Sequence, residues 1–73
     1  MYTTAKLTHG DILKSHIDAE SNVELRLFKT GQGYVIGVWD LDEKKYYPGM
    51  VVYPYGLDNA LEKATARFDK SII

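Results

Sequence analysis

The residues of this chain that could do chemistry are two histidines, a small carboxylate cluster, one glycine pair and a set of aromatics. His9 and His16 stand seven apart, which on a helix leaves them on roughly one side but two turns distant. Helical zinc pairs sit about three or four apart, so no metal site is expected. Asp40, Asp42 and Glu43 crowd one turn, but a calcium loop needs roughly five or more oxygens at set spacings around a central glycine. A solvated turn is the expectation there. Gly31 and Gly33 form G-x-G between two strand-like runs rather than ahead of a helix, so they build no phosphate cradle. No Ser, His and Asp arrangement suggests a nucleophile, and the chain is expected to be neither an enzyme nor a cofactor binder.

What remains is aromatic. Six tyrosines and one tryptophan raise base stacking, because single-strand binders combine aromatic platforms with a basic groove. Here Arg26, Lys29, Lys44 and Lys45 are offset by Asp40, Asp42 and Glu43. Nine basic and ten acidic residues leave a net charge of −1, without the basic excess usual for phosphate binding. Tyrosine in strands is more often a packing residue.

The elements that must position these side chains have to come from one small domain spanning 1–73, close to the lower limit for independent folding. There are no cysteines, so no disulfide supports it, which fits a reducing compartment and a cytoplasmic location. No run approaches the ~20 apolar residues of a membrane span, and residues 1–11 lack an apolar core of signal-peptide length.

The organising stretch is 34–53, YVIGVWDLDEKKYYPGMVVY, which reads as two strands around a charged turn. Before it, VELRLFK (23–29) alternates, with Val23, Leu25 and Leu27 on one face. A two-residue Gly31-Gln32 loop would pair Leu27 with Ile36 and Leu25 with Val38, with glycine supplying positive φ. A turn at Glu43-Lys44 would pair Ile36 with Val51 and Val38 with Gly49. After Pro54-Tyr55-Gly56, LDNALEKATARFDK is the clearest helix, with Leu57, Ala60, Leu61, Ala64 and Phe68 along one side. Toward the N-terminus, Thr8 reads as a helix cap, Ile12, Leu13, His16 and Ile17 as a narrow apolar stripe, and Asp18, Glu20, Ser21 and Asn22 as its end. Residues 1–7 read as an arm or edge strand. The expected architecture is therefore α+β: a three-stranded antiparallel meander on a C-terminal helix, with a short N-terminal helix or arm.

By the same register the opposite sheet face carries Phe28, Val35, Gly37, Trp39, Pro48, Met50 and Val52, edged by Glu24 and Arg26. A water-facing antiparallel sheet would be polar there. Either the helix at 9–19 folds back and lays Ile12, Leu13 and Ile17 on Trp39 and Met50, or a partner covers the face. Trp, Tyr, Met and Arg are interface-core types. The expected function is thus a protein-interaction module contacting its partner through Trp39, Met50, Tyr46, Tyr47, Arg26 and Phe28. Single-stranded nucleic-acid binding is the alternative, and a homodimer through the same face a third.

The segment WDLDEKKYYPG (39–49), followed by a third strand and a helix, resembles the sheet of positive-cofactor-4 type transcriptional coactivators. That likeness implies a twisted sheet that binds single-stranded DNA. Met50-Val51-Val52 stand where the family has a lysine and glycine run. In layout alone, a minimal, cysteine-free, nearly neutral chain is also similar to small phage-encoded proteins that dock on a host enzyme. This second resemblance implies an inhibitor or regulator of a host machine such as RNA polymerase.

Overall fold

The structure is a computed structural model and describes residues 10–72. The arm expected at 1–7, with Thr8 and His9, lies outside the described residues. The chain runs β1 (Ile12–Asp18), β2 (Val23–Lys29), β3 (Gly33–Asp40), β4 (Lys45–Tyr46), β5 (Val51–Pro54) and α1 (Ala60–Ser71). All pairings are antiparallel. β1, β2 and β3 are consecutive neighbours, and β4 and β5 both pair with the far side of β3. The fold is α+β, as the sequence indicates.

The expected N-terminal helix is a strand instead. Ile12 to Asp18 forms a ladder with β2, matching His16 to Leu25 and Ser15 to Arg26, with a bulge between Ile12 and Lys14. The reason is the balance of two weak preferences. A helix of about ten residues holding Ser15, His16 and Asp18 is marginal on its own. As a strand, the same segment satisfies the backbone groups on the outer side of β2, and Ile12 and Ile17 favour extended backbone. The residues read as ending a helix build the hairpin turn. Asp18 Oδ1 accepts the backbone N–H groups of Glu20 (3.1 Å) and Ser21 (3.4 Å), and Asn22 takes the left-handed conformation at φ 57°.

The meander keeps the expected register over most of its length: Leu27 with Ile36, Leu25 with Val38, Ile36 with Val51. Thr30 N–H donates to the Gly33 carbonyl (2.8 Å), closing the two-residue Gly31-Gln32 loop. The positive φ falls on Gly33 rather than in the loop itself, and a side chain there would run into the Tyr53 carbonyl. Val38 does not pair with Gly49. Its carbonyl accepts Tyr47 N–H (2.8 Å), and the strand leaves the ladder over 47–50 before rejoining it as β5. Pro48 has no N–H to give the ladder, and Gly49, at φ 91°, supplies the reversal.

One core lies between α1 and the sheet. Ala60, Ala64 and Phe68 recur at helical spacing and are buried. Ala64 and Phe68 pack on Leu27 and Ile36, with Leu25, Tyr34 and Tyr53 around the edge. The alanines let the helix approach closely and Phe68 fills the gap. Leu57 and Leu61 fall outside this stripe and are exposed. Glu62 in the first turn and Lys70 in the last suit the helix dipole.

Candidate interaction face

The face of the sheet turned away from α1 is built by strict alternation. Glu24, Arg26 and Phe28 project from β2 to this side, and the ladder sets Trp39, Gly37 and Val35 directly opposite them. Val52 continues the row on β5 and Tyr46 faces Trp39 from β4. Phe28 and Val35 are fully buried, with Tyr46, Met50 and Val52 packed against them.

Gly37 is the pivot of this arrangement. Its missing side chain leaves a seat on the middle strand, and Tyr46 Cδ1, Met50 Sδ and Met50 Cγ lie 3.0, 3.1 and 3.2 Å from where a Cβ would stand. The excursion at 47–50 therefore lets Met50 fold down onto the sheet beside Tyr46. Sequence reading places Gly37 on this face but gives it no role, because a glycine in a strand does not announce which side chains come to cover it.

Arg26 ties the polar end together. Its Nη2 and Nε sit 2.9 and 3.0 Å from Glu24 Oε1, and its Nη1 donates to the Tyr46 hydroxyl (3.2 Å). The guanidinium lies over Trp39, 4.5 Å from the ring centroid, and 5.8 Å from that of Tyr46. Tyr46 meets Trp39 edge-on at 4.8 Å and tilts over Phe28 at 5.4 Å. Burial works against the charge on Arg26, but its hydrogen bonds to Tyr46 and Glu24 outweigh that and hold its pKa above the ordinary value. The pairing of Glu24 with Arg26 is legible in sequence as opposite charges two apart on a strand.

The structure thus brings Trp39, Tyr46, Met50 and Arg26 together, all half-buried, over a buried Phe28. Phe28 supports the face from beneath rather than presenting surface. Tyr47 parts from the group: it is exposed and its hydroxyl bonds the Asp40 carboxylate. Asp40 is the organiser of the acidic turn. Its Oδ1 accepts Asp42 N–H (2.8 Å) and Glu43 N–H (3.0 Å). The Glu43 N–H contributes most to holding its carboxyl below the usual range; burial pushes the other way, and the Asp42 N–H, the Tyr47 hydroxyl and the Lys45 charge add to the lowering. Asp40 in turn raises the Tyr47 phenol.

No group of three or more His, Asp or Glu side chains is placed to hold a metal ion among the described residues. His16, Asp18 and Ser71 do line one shallow cleft between β1 and the end of α1. Ser71 Oγ, however, donates to the Arg67 carbonyl of its own helix (2.9 Å), and no hydrogen bond joins the three among the described residues. No helix among the described residues is long and apolar enough to cross a membrane. Compared with protein-family models, curated proteins and solved structures, the chain matches none.

Proposed function

We propose that this protein is a non-enzymatic interaction module that docks a protein partner on the sheet face carrying Trp39, Tyr46, Met50 and Arg26. Its biological setting, on this reading, is that of a phage-type inhibitor or regulator of a host machine such as RNA polymerase. The carrying observation is the composition of that face. Trp, Tyr, Met and Arg sit half-buried on a rigid sheet, and among the described residues the only helix packs on the other side. Trp39 and Tyr46 bring large apolar area with few rotamers to freeze, and Arg26 is already held by Glu24 and Tyr46, which is how a few residues dominate an interface. The cation on the face favours a protein partner over nucleic acid, because Glu24 already compensates Arg26.

The test compares Trp39→Ala with Leu61→Ala, an exposed helix position on the opposite side. Affinity capture followed by mass spectrometry should find a specific partner held by the wild type and Leu61→Ala and lost by Trp39→Ala. Circular dichroism should remain native for both. A Trp39→Ala protein that keeps the same partner, or one that unfolds, removes the proposed face. Quenching of Trp39 by an oligonucleotide, falling steeply with salt, would assign the face to single-stranded nucleic acid instead.

A further inference from the structure

All seven residues of β1 are exposed, including the apolar Ile12, Leu13 and Ile17. The direction of its backbone groups follows from the ladder. Thr30 N–H bonds Gly33, so even-numbered residues of β2 turn toward β3; Lys29 N–H bonds the Asp11 carbonyl (3.0 Å), so odd-numbered ones turn toward β1. Lys14, His16 and Asp18 stand opposite Leu27, Leu25 and Val23, and their backbone groups point inward. The N–H and C=O groups of Ser15 and Ile17 therefore point out from the sheet. Natural edges are blunted by bulges, prolines, short length or charges, lysine above all, and β1 carries one lysine, Lys14. Here the bulge between Ile12 and Lys14 blunts only the first end, and 14–18 stays regular and free of proline.

We propose that β1 pairs antiparallel with β1 of a second copy, the two-fold axis passing at His16, so that one sheet runs through both molecules. This register sets Ser15 against Ile17 of the second copy and the reverse, giving ~4 backbone hydrogen bonds. It also sets Lys14 directly opposite Asp18 of the second copy, twice, on the side of the sheet that faces the helix. Lys14 already meets Asp69 at 2.7 Å, an exposed contact that leaves the ammonium further donors. The alternatives are poorer. An axis at Ser15 runs the bulge into the ladder and puts Ile12 against Asp18. An axis at Ile17 pushes Lys14 and Ser15 against the turn at 19–22, outside the strand. Charge match and ladder length thus select one register, and the occupant is a second copy rather than an unrelated strand.

Sedimentation across a wide concentration range should show a reversible monomer–dimer equilibrium. Amide exchange of the wild type, followed residue by residue, should show Ser15 and Ile17 slowed only at concentrations where the dimer forms. Lys14→Glu turns both cross-strand attractions into repulsions and should weaken the dimer roughly tenfold. A protein that stays monomeric throughout overturns the proposal. So does a dimer in which the Ser15 and Ile17 amides exchange independently of concentration, since that dimer would use another surface.

Discussion

Gly37→Ala puts one methyl group into the seat that Tyr46 and Met50 occupy. The three nearest atoms, one of Tyr46 and two of Met50, stand at 3.0 to 3.2 Å, tighter than ordinary carbon contact, in two side chains packed against the buried Phe28 and Val35. Tyr46 cannot swing away without lengthening its 3.2 Å bond from Arg26 and its edge contact with Trp39. Overpacking of this kind costs about 1–3 kcal/mol. Replacing glycine at an ordinary strand position offsets roughly 0.4–1 kcal/mol through the unfolded chain. The net loss expected is about 1–2 kcal/mol, against a total of roughly 4–11 kcal/mol for a domain of 73 residues. In a thermal melt that is a drop of about 5–15 °C. Because Trp39 is the single tryptophan, its emission reports the same site and should shift to the red as Tyr46 lifts. A variant with unchanged or higher Tm and unchanged emission would show that Tyr46 and Met50 are not packed down on the middle strand.

The helix core makes a sharper contrast. Phe68→Ala should cost about 3–5 kcal/mol and bring the domain close to unfolding, whereas Leu61→Ala, at an exposed position, should stay within about 0.5 kcal/mol; urea titration of the pair decides it, and equal losses would misplace the apolar stripe. Asp40 contributes to the acid limb. With its carboxyl held down in the folded state, its contribution is present above the unfolded value of about 3.9 and is lost as pH falls through the folded pKa. Asp40→Asn should therefore lose stability near neutral pH, and its gap to the wild type should begin to close only as pH falls below the unfolded value of about 3.9, measured by urea midpoint against pH. Tyr47 works in the opposite sense, since its raised phenol supports the fold below its ordinary value and withdraws that support as pH rises through the folded pKa.

How much of this molecule was legible in its residues depends on how far apart the deciding contacts lie. The pairing of Leu27 with Ile36 follows from a short loop between two alternating runs, because a turn of fixed length sets the register. The C-terminal helix follows in the same way from Ala60, Ala64 and Phe68, whose spacing is the helical period. Two faces, and which residues share each, were therefore present in local pattern. The segment at 12–18 was not. Its stripe of Ile12, Leu13 and Ile17 suits a weak helix as well as a weak strand, and the open edge of β2 decided between them. Nor could local pattern show that the strand at 47–50 leaves its ladder and lowers Met50 onto Gly37, or that Tyr47 turns to Asp40 while Tyr46 turns to Arg26. Alternation fixes the side to which a strand residue points. The neighbour it meets there depends on contacts distant in sequence, which form only once the sheet is assembled.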